Sequence, residues 1–292
     1  CKGNKKPTSA ENLIFSSLFL QNTICPTTIT NMTQVRAKKY LGQHFLKDLD
    51  IARRIAESLP LSEALPVVEV GPGMGVLTRF LLENPLIDLT AVEIDRESVE
   101  YLHTHYPYLK LIEGDFLKMD LTAMFPGQFC VIGNFPYNIS SQIFFKVLDY
   151  RHQIPYAAGM LQKEVAERIA SKPGKKAYGI LSVLMQAYYT VDYLFTVSEH
   201  VFDPPPKVKS AVIRFTRNEV QHLDCDEKLF RTVVKTAFNQ RRKTMRNSLK
   251  PLVPKENLMY ADAIFDKRPE QLGVAEFVEL TNMVENALKE NK

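Results

Sequence analysis

Asn134, Phe135, Pro136 and Tyr137 stand in a row after the apolar run "FCVIG" (129–133). An amide, a proline and two aromatics suit a binding surface better than a core. The exocyclic amine of a nucleobase is a poor nucleophile, because its lone pair is delocalised into the ring. Acceptors set around its N–H bonds favour a tetrahedral nitrogen with a localised pair. The Asn134 side-chain oxygen supplies one acceptor. A backbone carbonyl directed by the Phe135–Pro136 bend supplies another, since proline biases the residue before it away from helix. Tyr137 offers a ring for stacking, worth about 1–3 kcal/mol per base. A base from a duplex would flip out to reach these groups. The plainer alternative is a proline turn with an exposed amide and a core tyrosine.

A second constellation lies upstream. "EVGPGMG" (69–75) sets Gly71, Gly73 and Gly75 between a strand-like and a helix-like run. Glycines there permit a tight turn and let the backbone approach a ligand at a helix N-terminus. Glu93 follows about 20 residues on, where a carboxylate meets ribose hydroxyls. Asp115, in "EGD", ends the next strand and could accept from an adenine amino group. Taken singly, Glu93 is a solvated strand-end charge and Asp115 a helix cap. The spacing G-x-G-x-G differs from the dinucleotide pattern G-x-G-x-x-G. It suits S-adenosylmethionine, which has no pyrophosphate, better than a nicotinamide cofactor.

These residues need a parallel sheet to converge. "VVEVG" (67–71), "LTAVEID" (89–95), "LKLIEGD" (109–115) and "FCVIGN" (129–134) read as strands. "DIARRIAESL" (50–59), "GVLTRFLLEN" (75–84), "RESVEYLHTHY" (96–106) and "SQIFFKVLDY" (141–150) read as helices, the last capped by Ser140. Such alternation predicts an α/β, Rossmann-like domain over 32–217, its ligand over the carboxyl ends of the strands. "VFDPPPKVKSAVIRFTR" (201–217) turns through prolines into a strand. Beyond it, "DEKLFRTVVKTAFNQ", "RRKTMRNSLK", "ENLMYADAIF" and "VAEFVELTNMVENALK" all read as helices, which predicts a small all-α domain over 218–292.

Composition fits a globular protein: 292 residues, 45% hydrophobic and 24% charged, with a net charge of +4. The cysteines at 1, 25, 130 and 225 form no CxxC pair and no zinc pattern, so neither a disulfide framework nor a metal site is expected. A reducing, cytoplasmic compartment fits best. Residues 1–31 have the outline of a signal peptide, but with a short apolar stretch and no A-x-A-like site. They are expected to be a disordered leader or a mis-assigned start, with Met32 opening the working protein.

"YLGQHFL" (40–46), "EVGPGMGVLT", "VEID", "EGDF", "GNFPYNISSQI", "MLQKEVAERI", "KAYGILSVLMQ", "FDPPPKVKSAV" and "AFNQRRKTMRNSL" occur in this order. Together they resemble the KsgA-type family of rRNA adenine N6,N6-dimethyltransferases over roughly residues 36 to 285. The resemblance implies a methyltransferase domain and a small helical C-terminal domain. It implies methyl transfer from S-adenosylmethionine to two adjacent adenosines, with S-adenosylhomocysteine as the product. Those adenosines lie in a hairpin near the 3′ end of 16S rRNA in the small ribosomal subunit, and the work serves subunit biogenesis. It implies a monomer, with no metal and no membrane. His44 and Leu46 would touch the cofactor with Gly71, Gly73, Glu93, Asp115 and Asn134. Many relatives carry Asn where His44 stands, so its backbone could serve as well as its side chain. Residues 1–31 have no counterpart in the family.

The basic residues cluster, as phosphate contact requires. Lys38 and Lys39 lie in "QVRAKKYLGQHFLK", Lys175 and Lys176 in the loop "SKPGKKAYG", and Lys207 in "PPPKVKS". Arg241, Arg242, Lys243 and Arg246 are expected on one helix at 241–250, with Arg242 and Arg246 on one side. Each run alone is more often a solvated face. Other readings remain: a large-subunit rRNA adenine methyltransferase of the macrolide-resistance type, a non-catalytic ribosome-assembly or transcription factor on the same fold, and, more distantly, a nicotinamide dehydrogenase. The intact Gly71, Glu93, Asp115, Asn134 and Tyr137 set argues against the non-catalytic reading.

Overall fold

The computed structural model describes residues 35–290, and the expectations for 1–31 and for Met32 lie outside them. The strands are β1 (Phe45–Leu46), β2 (Leu65–Val70), β3 (Ile87–Glu93), β4 (Lys110–Glu113), β5 (Cys130–Asn134), β6 (Tyr156–Gln162), β7 (Tyr189–Val197), β8 (Phe202–Asp203) and β9 (Ser210–Arg217). The helices of the first part are α1 (Leu49–Ala56), α2 (Thr78–Leu82), α3 (Arg96–His105), α4 (Leu121–Met124), α5 (Ser140–Asp149), α6 (Lys163–Ala170) and α7 (Ile180–Gln186). After β9 come α8 (Glu227–Asn239), α9 (Met245–Ser248) and α10 (Val274–Glu290).

Seven strands form one sheet in the order β4-β3-β2-β5-β6-β9-β7. The first five are parallel; β9 runs antiparallel to both β6 and β7. Both faces are buried, as helix-covered parallel sheets require. Val68, Val70, Val131, Ile213 and Phe215 face one core, while Val67, Cys130, Ile132, Met160 and Val212 face the other. That period-two division follows from the pleat. The second core is closed by Ala52 and Ile55 of α1 with Phe80 and Leu81. The first core continues without a break into Phe230, Val234, Phe277, Leu280 and Val284 of α8 and α10. Among the described residues no strand follows β9, and no helix is long and apolar enough to cross a membrane.

Three local expectations need correction. Ser140 does not cap α5: Ile139 holds that position, and the Ser140 hydroxyl, inside the first turn, donates back to the Tyr137 carbonyl at 3.3 Å. "ENLMYADAIF" is two 3-10 turns, Leu258–Ala261 and Ala263–Asp266. Asn257 and Asp262 accept from the backbone N–H two residues on and restart the chain each time, because short polar side chains compete with helical bonds. Finally, 241–250 is not one helix. Arg241, Arg242 and Lys243 lie in a turn after α8, and Thr244, extended at φ −68° and ψ 159°, starts α9 afresh. The buried Met245 anchors that break, its N–H bonded to the Lys267 carbonyl at 2.8 Å.

Candidate active site

β2 and β5 are neighbours, and the chain winds outward from them in opposite directions, to β3 and β4 on one side and to β6 on the other. Open sheets bind ligands at such a point, over the carboxyl ends of the strands. A cavity of about 310 Å³ opens there. Gly71, Gly73, Glu93, Asp115, Asn134 and Tyr137 line it together with His44 and Leu46. Residues up to 93 positions apart in sequence thus share one wall.

The glycine turn follows β2 with φ of +70° at Gly71, +58° at Gly73 and +76° at Gly75. Side chains rarely adopt that region. Space forbids them as well: a Cβ on Gly75 would lie 2.5 Å from the Tyr106 ring. Glu93 holds the turn from below. One carboxylate oxygen accepts from Gly73 N–H at 3.0 Å, and the other from Ile94 and Asp95 N–H at 2.9 and 2.8 Å. Glu93 is buried rather than solvated, at 3% exposure. Burial raises its pKa against those three donors, and the net shift is upward. Asp115 caps a 3-10 turn through Leu117 N–H at 3.0 Å and lines the cavity as well, so cap and wall are one residue.

Glu69 received no separate role from the sequence, although it sits two places before Gly71. It is buried beside the same cavity and accepts from the Thr78 hydroxyl at 2.7 Å. Burial pushes its carboxyl up to about 8, and the nearby Glu93 charge adds to the shift.

Asn134 closes β5. Its amide nitrogen donates to the His44 carbonyl at 3.1 Å, which leaves its oxygen free for another donor. The Phe135 ring turns into the core, edge-on to Phe144 at 5.5 Å. It fits because Gly133 and Gly159 leave room: a Cβ on Gly159 would stand 2.6 Å from the ring. Phe135 therefore offers the cavity its backbone. Its N–H bonds the Met160 carbonyl at 2.9 Å, while its carbonyl accepts no bond among the described residues. The Tyr137 ring lies 5.3 Å from the His44 ring, tilted by 30°, and its hydroxyl is bonded to the Ser210 hydroxyl. The His44 imidazole sits within 2.8 Å of the Pro204 carbonyl through Nδ1, so Nδ1 carries the proton. His44 thus meets Asn134 by its backbone and Tyr137 by its ring. Leu46 pairs with Phe202 in the short β1–β8 ribbon and is buried.

The segment before α1 is laced across the cavity. The Lys38 ammonium is paired with Asp95 and lies 3.2 Å from Glu97. The Gln43 amide also reaches Asp95, at 3.3 Å. Burial raises the Asp95 pKa, but the bonds from Lys38, Gln43 and Ser98 outweigh it and leave the carboxyl below its ordinary range.

The basic residues named above divide into two groups. Lys38 is committed to Asp95. Arg241 donates to the Lys176 carbonyl and faces Glu270 at 3.9 Å. Arg246 is bonded to Asp266 at 2.6 Å and to the Tyr260 carbonyl. Lys39, Lys175, Lys176, Lys207, Arg242 and Lys243 are exposed, and their charged groups have no partner among the described residues. The Arg241–Lys176 bond brings the loop at 172–176 and the turn at 241–243 together. Among the described residues no cluster of His, Cys, Asp or Glu could hold a metal. Cys130 is buried, its thiol pushed up to about 12 by burial.

The cavity fits S-adenosylmethionine on its own terms. Its volume falls in the range of small-ligand sites. It offers a glycine turn, a buried carboxylate beneath that turn, the half-exposed Ile94 as an apolar ledge, and Asp115 as an acceptor.

Comparison with known proteins points the same way. The family model described as ribosomal RNA adenine dimethylase matches residues 34–285. A ribosomal RNA small subunit methyltransferase A from Parabacteroides distasonis is 69% identical over 252 residues, covering 86% of this chain and 94% of the relative. The protein of the same name from Bacteroides thetaiotaomicron is 62% identical, covering 88% of this chain and 97% of the relative. Among solved structures, a dimethyladenosine transferase from Plasmodium falciparum superposes with a TM-score of 0.71 at 26% identity, over 84% of this chain and 98% of the other. The 23S rRNA methyltransferase ErmE gives 0.61 at 27% identity, over 82% and 99%.

Proposed function

The chain belongs to the ribosomal RNA adenine dimethylase family, and from that membership we propose that it dimethylates N6 of two adjacent adenosines in a hairpin near the 3′ end of 16S rRNA in the small subunit. S-adenosylmethionine is the methyl donor and S-adenosylhomocysteine the product. Identities of 58–69% to small-subunit enzymes support this substrate over the large-subunit alternative. The chain works as a monomer and in the cytoplasm.

The observation that carries the chemistry is the state of Asn134. Its amide nitrogen is occupied by the His44 carbonyl, which leaves the oxygen of this cavity-lining residue as the acceptor for a substrate donor. The Phe135 carbonyl is the second acceptor. Between them they bind the two N–H bonds of an adenine amine and draw its lone pair out of conjugation. Such preorganised polar contacts are worth about 10²–10³ in rate. Tyr137, held by Ser210, stacks on the target base. Bound S-adenosylmethionine supplies an electrophilic methyl group on a positively charged sulfur. Glu93 takes its ribose hydroxyls and Asp115 its adenine amine, while His44 and Leu46 close the site beside the glycine turn. Phosphate contact falls to Lys39, to Lys207, and to the joint surface of Lys175, Lys176, Arg242 and Lys243. The helical part after residue 217 thereby acts in RNA binding.

The test is methylation of purified small subunits that lack the modification, with large subunits alongside, followed by mapping of the modified bases. Dimethylation of adjacent adenosines in the small-subunit rRNA is expected. Methylation of large-subunit rRNA, or of neither, would overturn the proposal.

A further inference from the structure

Tyr40 stands outside the residues that line the cavity. It is 75% exposed, a large ring left in water on a turn whose backbone is fixed at every side. The turn is a single 3-10 step, Lys39–Leu41, closed by Leu41 and Gly42 N–H on the Lys38 and Lys39 carbonyls at 3.0 Å each. Lys38 pins its start to Asp95, and the Gln43 side chain ties its end back to Lys38 N–H at 2.9 Å. Its middle is fastened to the catalytic loop, where the Asn138 amide donates to the Tyr40 carbonyl at 3.2 Å. Gly42 permits that approach: at φ +66°, a Cβ there would stand 2.7 Å from the Asn138 oxygen. Asn138 immediately follows Tyr137, and both it and Leu41 line the cavity. Tyr40 is therefore a rigidly mounted aromatic at the cavity rim. Beside it Arg36 and Lys39 are exposed, with no partner for either charge among the described residues.

An exposed ring flanked by free cations is how proteins hold unpaired nucleotides: the ring stacks a base and the cations take phosphate. We propose that Tyr40 is the stacking platform for a nucleobase of the substrate RNA adjoining the adenosine that enters the cavity, with Lys39 and Arg36 on the neighbouring phosphates. This rests on the RNA substrate proposed above. The target base stacks on Tyr137 inside, and its neighbour stacks on Tyr40 outside. Because Asn138 couples the two supports, the spacing of the two bases is set by the protein.

The chain contains no tryptophan, so a Tyr40→Trp variant would carry all the indole emission. Adding unmethylated small subunits should quench that emission, over the same concentrations at which filter retention detects binding. S-adenosylhomocysteine alone should leave it unchanged. In parallel, Tyr40→Ala should raise KM for small subunits by about 5- to 150-fold, the worth of one base–aromatic stack. Tyr40→Phe should stay near wild type, and cofactor affinity should hold in both. Unchanged emission despite measured binding, or an unaltered KM for Tyr40→Ala, would overturn the platform. Quenching by S-adenosylhomocysteine alone would also overturn it, by placing Tyr40 at the cofactor. Failure of the wild-type protein to bind or methylate small subunits would instead sink the function on which the platform rests.

Discussion

Replacing Glu93 with Gln keeps the side chain's size and removes one acceptor oxygen. The carboxylate now serves three backbone donors, Gly73 on one oxygen and Ile94 with Asp95 on the other. An amide that keeps its oxygen on the latter pair turns its NH2 group onto the Gly73 N–H, donor against donor. A buried N–H left unsatisfied costs about 1–3 kcal/mol. The two surviving bonds lose charge assistance, which roughly halves them. Against this, the variant escapes the burial of a carboxylate, the cause of the raised Glu93 pKa. The net destabilisation is about 1–3 kcal/mol. At roughly 2–4 °C per kcal/mol for a protein of this size, Tm should fall by about 2–12 °C. Loss of a charged acceptor for ribose hydroxyls, worth about 1.5–3 kcal/mol, should weaken S-adenosylhomocysteine binding by about 10- to 150-fold. Scanning calorimetry gives the first quantity and titration calorimetry the second. A Tm within about 1 °C of wild type would refute the anchoring of the turn. A lowered Tm with unchanged affinity would refute the ribose contact and leave the anchor standing.

Asn134→Ala should lower kcat by about 10²–10³ with the protein still folded, since it removes an acceptor of the reacting amine; near-normal turnover on small subunits would remove Asn134 from the mechanism. Glu69→Gln tests the buried carboxyl. Folding raises the Glu69 pKa from 4.5 to about 8, so the folded state binds the extra proton between those values. Glu69 therefore makes stability fall as pH rises through that window, by up to about 1.4 kcal/mol per unit. Denaturant midpoints at pH 5 and pH 8 should diverge less in the Gln variant, and parallel profiles would contradict the assignment. Replacing Arg242 and Lys243 together with Ala should weaken small-subunit binding and flatten its log–log salt slope by about 0.7–0.9 per lost phosphate contact. Arg246→Ala should leave that slope alone and lower Tm, because its guanidinium is spent on Asp266 and Tyr260; the reverse pattern would exchange their roles.

Local chemistry was enough to determine much of this protein. Four of the five parallel strands, β2 to β5, were legible because buried β-strands are written as short apolar runs between glycines and acids; β6, alanine-rich and broken by Gly159, was not read from the sequence. Gly71, Glu93, Asp115 and Asn134 stood out because each lies at or just past the end of a parallel strand, where open sheets bind ligands, whereas His44 and Leu46 came from the family resemblance alone. The long helices α8 and α10 followed from apolar spacing alone. Tertiary structure decided what depended on partners distant in the chain. Periodicity suggested a helix over 241–250, but the buried Met245 and its bond to Lys267 broke it into a turn and a short helix. Composition could group the lysines and arginines; only packing could tell Lys38, Arg241 and Arg246, neutralised by Asp95, Glu270 and Asp266, from the cations left open to phosphate. Glu93 read as a ligand-binding acid or a solvated charge, and the fold made it the anchor of the glycine turn from 20 residues away. Glu69 and Tyr40 show the same limit. A carboxylate's burial and an aromatic's exposure are properties of the surrounding surfaces, and those exist only once the chain has closed on itself.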